Sequence, residues 1–202
     1  CLEFGAGTGI LTHYLQGKFS HLEASDAAPN MVKAGQQHFP DTHWTQRDAW
    51  HPRDEQHSWS FLASCSLLQW ATNPEKVLRK WKEILKPNGR HLSGIYVSPS
   101  LPEIASLLPH KNQFRWRTAD EWRTAFTRAG FNILRSETKT CRYVYPDALT
   151  LFRRLHGTGA KAIENPLPLK EFKRLLRDYE SQFACDEGVS TTWTFLRIET
   201  TV

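Results

Sequence analysis

The sequence predicts an α/β fold: a doubly wound, mostly parallel sheet with extra C-terminal helices and an antiparallel last strand. Three observations carry this. The chain opens on a short run, Cys1-Leu2-Glu3-Phe4, followed at once by glycines at alternate positions, Gly5, Gly7 and Gly9. An acidic residue, Asp26, closes a second strand-like run 21 positions after Gly5. Strand-length apolar runs then alternate with helical periodicity through Thr140.

Taken in order, residues 9–16 have the spacing of a first helix that Gly17 can end, and residues 21–26 read as a second strand. Pro29 suits the first position of the next helix. Residues 43–47 and 59–65 read as the third and fourth strands, the latter leaving Ser64, Cys65 and Ser66 at its C-terminal end, where ligands of open α/β sheets collect. Asn73-Pro74 caps a helix with Val77, Leu78, Trp81, Ile84 and Leu85 on one face. Lys86-Pro87-Asn88-Gly89 reads as a turn into a strand over 91–97. Thr118 and Glu121 have capping-box spacing, starting a helix whose Trp122, Ala125, Phe126 and Ala129 face inward. A strand over 131–140 follows, then helices over 146–156 and about 169–183, and a final strand over 191–201. Leu149, Phe152 and Leu155 are expected on the buried side of the first of these helices.

Composition narrows the class. At 202 residues the chain suits one domain with a sizeable core. No apolar run approaches the roughly 20 residues needed to span a bilayer, and no signal-peptide pattern is present. The four cysteines are far apart and form no CxxC pair, which reads as reduced thiols in a cytoplasmic protein. The nine histidines contain no HExxH and no close ligand set, so no metal is expected. The formal charge of +5 is unevenly spread: residues 111–177 hold 15 Lys/Arg against 6 Asp/Glu, so an acidic partner is expected there. Nucleic acid is not the expected partner, because Trp81 and Trp122 fall on core faces.

The chemistry starts at the glycines. Strand, Gly-rich turn and helix let a ligand approach the backbone, where a side chain would fill the ligand's space. The pattern Glu3-Phe4-Gly5-Ala6-Gly7-Thr8-Gly9 puts a carboxylate at the end of the strand. This resembles motif I of the Rossmann-like S-adenosylmethionine-dependent methyltransferases, whose cofactor has a cationic sulfonium and no phosphate. Asp26-Ala27-Ala28-Pro29-Asn30-Met31 is similar to the D-x-S-P-x-M stretch of many such enzymes, and Gln69-Trp70 to the Q-W after their fourth strand. The resemblance implies cofactor contacts from Glu3, Gly5, Ala6, Gly7 and Gly9, from Asp26 to the ribose, from Ala27 and Met31, and from Asp48-Ala49 to the adenine, with Cys65 at the end of the fourth strand. It also implies several tens of residues ahead of motif I; the chain reads as a fragment lacking that N-terminal lid.

The second half is more specific. Asp147-Ala148-Leu149, Leu155-His156-Gly157-Thr158-Gly159-Ala160, Ser100-Leu101-Pro102-Glu103 and Thr192-Trp193-Thr194-Phe195 resemble stretches of the malonyl-[acyl-carrier protein] O-methyltransferases of biotin synthesis, the BioC family. The resemblance implies a single domain over 1–202, with a cofactor half up to about residue 97 and an acceptor half beyond it. It implies methyl transfer to the free carboxylate of a malonyl thioester on an acidic carrier protein, by a monomer. A carboxylate needs no general base at pH 7, and no base motif stands out. Arg123, Arg128, Arg153, Arg154 and Lys161 are the expected carrier-docking cations. The alternatives left open are another small-molecule methyltransferase, a truncated non-catalytic pseudoenzyme, or an RNA methyltransferase.

Overall fold

In the computed structural model, which describes residues 1–53, 56–157 and 163–202, the first strand to form a ladder is β1 (Leu2–Phe4). It pairs in parallel with β2 (Glu23–Asp26) on one side and β4 (Trp59–Cys65) on the other, and β2 pairs in parallel with β3 (His43–Gln46). β5 (Leu85–Val97) continues the sheet, followed by β8 (Gly188–Thr201) and β6 (Asn132–Tyr145), giving the order β3-β2-β1-β4-β5-β8-β6. The two-residue β7 (Ala184–Cys185) pairs antiparallel with β8. Contacts along its length fix the direction of β8. Gly89 meets Val202, His91 meets Thr200 and Tyr96 meets Phe195, while Glu137 meets Arg197 and Thr140 meets Thr194, so β8 runs antiparallel to both neighbours.

Parallel strands joined by helices must bury both faces, and the strand residues divide accordingly. One face carries Leu2, Phe4, Leu62, Ser64 and His91; there Phe4 stacks on Trp81 of α3 (Pro74–Ile84) at 4.8 Å, and His91 stacks on Phe126 of α5 (Ala119–Arg128) at 5.2 Å. The other face carries Cys1, Glu3 and Ala63, with Cys1 and Ala63 packed against Leu11 and Leu15 of α1 (Ile10–Leu15). Ala24 and Trp44 pack with Val32 of α2 (Pro29–His38).

Helix ends follow the local chemistry. Asn73 accepts the Lys76 N–H at 3.0 Å with Pro74 at the first position, and the Thr118–Glu121 capping box is fully formed. The Lys86–Gly89 stretch does not end a loop ahead of β5. It is a bulge within the strand: the ladder jumps from Trp59↔Leu85 to Phe61↔Arg90, and Asn88 takes φ 61°. Leu85, expected on the helix face, is instead the buried first residue of β5.

The chain divides into two compact units, residues 1–96, 118–138 and 195–202 in the first and 97–117 and 139–194 in the second. A cut near residue 97 therefore misses two later segments that return to the first unit. The second unit holds α4 (Pro102–Leu107), α6 (Ala148–Gly157) and α7 (Leu169–Phe183). The Ser100-Leu101-Pro102-Glu103 stretch is anchored there: Ser100 donates to the Val97 carbonyl at 2.7 Å, and Glu103 accepts from the hydroxyl of Thr192 at 2.5 Å and its N–H at 3.1 Å. Tyr179 of α7 donates to the Ser190 carbonyl at 2.7 Å. On α6, Leu151, Phe152 and Leu155 are buried, but Leu149 is 37% exposed and does not join them.

Candidate cofactor site

The loop from β1 to α1 is held at the C-terminal ends of β1 and β2. Gly5, Gly7 and Gly9 take φ of 66°, 57° and 94°. Ala6 donates its N–H to the Ser25 carbonyl at 2.9 Å, and Gly7 donates to Oδ2 of Asp26 at 2.9 Å. A Cβ on Gly5 would approach Leu67 within 2.9 Å, whereas the same direction from Gly7 is open. The loop is thus closed underneath by the segment after β4 and open where its backbone faces outward.

Asp26 accepts a second bond from the Ala28 N–H to Oδ1 at 2.9 Å. It does not cap α2; that position belongs to Ala28, which offers no side-chain bond. Each carboxylate oxygen keeps a lone pair beyond these N–H groups. Ala27 is exposed and Met31 half-buried in the first turn of α2.

Glu3 is 1% exposed and accepts from the Thr12 hydroxyl at 2.6 Å. Burial lifts its carboxyl to about 7, the Thr12 bond opposing and the Asp26 charge adding to the rise. A buried carboxyl that contacts no cation among the described residues is a costly group, and its neighbourhood suits a cationic ligand.

Asp48 lies just past β3. Oδ1 accepts the Trp50 N–H and Oδ2 pairs with Nδ1 of His51, both at 2.8 Å. Partial burial works to raise this carboxyl and is outweighed by His51 and the Trp50 N–H, leaving it below the usual range. The next residue, Ala49, is buried, and its carbonyl accepts the Trp81 indole N–H at 2.7 Å. Ala27, Arg47, Asp48 and His51 border a cavity of about 470 Å3. Cys65 is half-buried; burial first, with the Glu3 charge, pushes its thiol up against a weak Ser66 contact, so it stays protonated at neutral pH.

The structure thus gathers Glu3, Gly5, Ala6, Gly7, Gly9 and Asp26 around one loop, with Asp48-Ala49 at the end of β3 and Cys65 at the end of β4. Sequence reasoning missed Thr12, Leu67 and His51, which act on those residues from other turns of the chain and carry no motif. It also missed that Oε1 of Gln69, in the 3-10 turn after β4, is buried without a partner. An open glycine loop, a carboxylate pair with free acceptor capacity and an orphaned amide oxygen fit a polar, cationic nucleoside cofactor.

The five expected docking cations are spread over different parts of the chain. Arg123 and Arg128 are on α5 in the first unit, Arg123 paired with Asp120 at 2.6 Å and Arg128 with Glu75 at 3.5 Å. Arg153 and Arg154 are exposed on α6 in the second. Lys161, and Thr158-Gly159-Ala160 of the glycine-bearing stretch, lie outside the described residues. Among the described residues, no group of three or more His, Cys, Asp or Glu is placed to hold a metal ion, and no helix is long and apolar enough to cross a membrane.

Comparison with known proteins agrees with this geometry. Residues 2–91 match a family described as a methyltransferase domain. A malonyl-[acyl-carrier protein] O-methyltransferase of Paenibacillus sp. is 22% identical, aligned over 98% of this chain and 80% of its own length. The enzyme of that name from Haemophilus ducreyi is 27% identical over 96% of this chain and 77% of its length. The fold matches a crystal structure described as a putative methyltransferase from Bacillus halodurans with a TM-score of 0.73, at 12% identity, over 99% of this chain and 90% of that one. The chain is an S-adenosylmethionine-dependent methyltransferase of Rossmann-like fold.

Proposed function

We propose that this methyltransferase esterifies the free carboxylate of a malonyl thioester carried on an acyl-carrier protein, an early step of biotin synthesis. The observation that carries the reading is the extent of the similarity: the two malonyl-[acyl-carrier protein] O-methyltransferases align along nearly all of this chain, including the second unit. The excess of Lys and Arg over residues 111–177 suits an acidic carrier.

The chain's residues divide the work. Asp26 accepts the ribose hydroxyls through the lone pairs left by Gly7 and Ala28, and Asp48 with Ala49 holds the adenine edge. The open backbone at Gly7 admits the amino-acid end, and Glu3 places a carboxylate beneath it. Ala27 and Met31 line the nucleoside side, and Cys65 lies at the strand end as a neutral thiol. When bound, S-adenosylmethionine supplies an electrophilic methyl group on a positively charged sulfur. An acceptor carboxylate oxygen would take that methyl group, the electron pair of the former C–S bond remaining with sulfur. The acceptor is already ionised at pH 7, so no proton has to move, and the protein's task is alignment and exclusion of water. Arg153 and Arg154, exposed on α6, are the cations proposed to meet the carrier.

The test is transfer of labelled methyl to malonyl-carrier protein, set beside free carboxylic acids, lipids and RNA. Preferential ester formation on the malonyl carrier supports the reading. Efficient labelling of another acceptor with none on the malonyl carrier overturns it.

A further inference from the structure

The second unit contains a cavity of about 660 Å3 that no part of the cofactor site uses. One wall is a stripe of α6, with Leu149, Phe152, Arg153 and His156; Phe172 of α7 and residues 163–167 complete it. The walls are tied in place. Phe152 meets Phe172 edge-on at 5.5 Å and Tyr179 at 6.1 Å. The 163–165 segment is pinned by a bridge between Gln113 and Ile163, by the Glu164 N–H on the Asn112 carbonyl at 3.1 Å, and by the Asn165 N–H on the Asn112 side chain at 3.3 Å.

The lining is mainly apolar, with few polar groups: Arg153 and His156 on α6, and Glu164 and Asn165 of the 163–167 segment. A cavity of this size and character takes a small molecule or a slender chain. The polar groups say which. A guanidinium and an imidazole three residues apart on α6 suit one anion, whereas Glu164 disfavours a second anion and, with Asn165, suits neutral amides. One anionic group joined to a flexible chain of methylenes and amides is the chemistry of a phosphopantetheine arm.

On these grounds, and resting on the malonyl-carrier reading above, we propose that the cavity takes the phosphopantetheine arm of the carrier protein, its phosphodiester against Arg153 and its amides toward Glu164 and Asn165. The two helices that line it also carry exposed cations, Arg154 on α6 and Lys170, Lys173 and Arg174 on α7, the last paired with Asp178 at 3.4 Å. The cavity then holds the tether of the acceptor, and the carrier's own acidic surface makes a separate contact with these cations.

The probe is 4′-phosphopantetheine, titrated calorimetrically against the protein, with pantetheine lacking the phosphate as its pair. Leu149, partly exposed at the wall, can be replaced without opening the core. Leu149→Trp narrows the cavity and should raise the Kd for both probes at least tenfold, leaving S-adenosylmethionine affinity unchanged as a check of folding. Arg153→Glu should weaken the phosphorylated probe about tenfold and the unphosphorylated one less than twofold. The KM for malonyl-carrier protein should rise in parallel in both variants, with kcat held. No binding of either probe to the wild-type protein, or a Leu149→Trp variant within twofold of wild type in both Kd and KM, overturns the proposal. The two readings fail separately. A wild-type protein that leaves malonyl-carrier protein unmethylated yet binds the probes in this pattern removes the acceptor assignment and supports the cavity as a pantetheine site.

Discussion

Trp81 on α3 donates its indole N–H to the carbonyl of Ala49 at 2.7 Å, from a fully buried position. Its ring also stacks on Phe4, the residue ahead of the glycine loop. One side chain therefore supports both the strand that carries the loop and the backbone step assigned to the adenine. Trp81→Phe keeps most of the packing and leaves the Ala49 carbonyl without its donor. Stability should fall by about 1–3 kcal/mol, and S-adenosylmethionine affinity by roughly five- to tenfold. Urea melts and calorimetric titration measure the two; an unchanged affinity would show that the Ala49 step is held by other contacts.

Asp26 serves two ends. Its carboxylate holds the Gly7 and Ala28 N–H groups and, in the cofactor pose proposed above, its remaining acceptor sites take the ribose. Asp26→Ala loses all of these and should weaken cofactor binding by about 2–4 kcal/mol, roughly 30- to 1000-fold. Asp26→Asn keeps one carbonyl oxygen and should fall between wild type and Ala. Equal affinities for the two variants would argue that the charge, and not the pair of acceptors, is what counts.

Two buried groups should give the apo protein opposing pH dependences. His91 is fully buried, bonded through Nε2 to the Ser93 hydroxyl at 2.7 Å, and burial lowers it from 6.5 to about 3. The unfolded chain takes up its proton first as pH falls, so His91 favours the folded state above 6.5 and that share is lost between 6.5 and about 3. Glu3 works the other way. Its carboxyl rises from 4.5 to about 7, so its share is complete below 4.5 and is lost as pH climbs to about 7. Each slope is on the order of 1.4 kcal/mol per pH unit. Glu3→Gln should flatten the loss at the upper end, and His91→Gln the loss at the lower end, in urea melts taken from pH 4 to pH 8. A wild-type curve that both variants reproduce would remove these groups as the source.

Arg153 and Arg154 stand exposed on α6. Their joint replacement by Glu should raise the KM for malonyl-carrier protein by about tenfold or more, leave the cofactor Kd unchanged, and reduce the dependence of KM on salt. The double replacement Arg123→Glu and Arg128→Glu should matter less, because Asp120 and Glu75 already occupy those guanidinium groups. Equal losses from both pairs would place the carrier across α5 as well.

Much of this architecture was legible in the chain because local chemistry announces it. Asn73-Pro74 and the Thr118–Glu121 pair mark two helix starts that the structure reproduces, and the apolar stripe of α7 has the bounds that its periodicity predicts. What the sequence hid has physical reasons. α4 is six residues long and starts after Leu101 at φ 54°, so it is too short to display a period. The outer end of β6 runs on to Tyr145, but as an edge strand it is exposed on most positions and shows no alternation. Leu149 has helical spacing with Phe152 and still stays partly exposed, because the space beside it is the cavity. In the cofactor site, motif spacing located Asp26 and the glycines. The Thr12 hydroxyl on Glu3 and the approach of Leu67 to Gly5 depend on which turns the sheet brings together, and no spacing encodes that.

The position of β8 bears on how the molecule comes to be made. Every other strand precedes it in the chain, yet it lies between β5 and β6 and pairs with both. A nascent chain carries β6 with nothing beside it until β8 has emerged, and the facing edge of β5 is equally bare. For that interval both strands present open hydrogen-bonding edges to whatever else is near, and the gap between them closes only when β8 arrives to fill it.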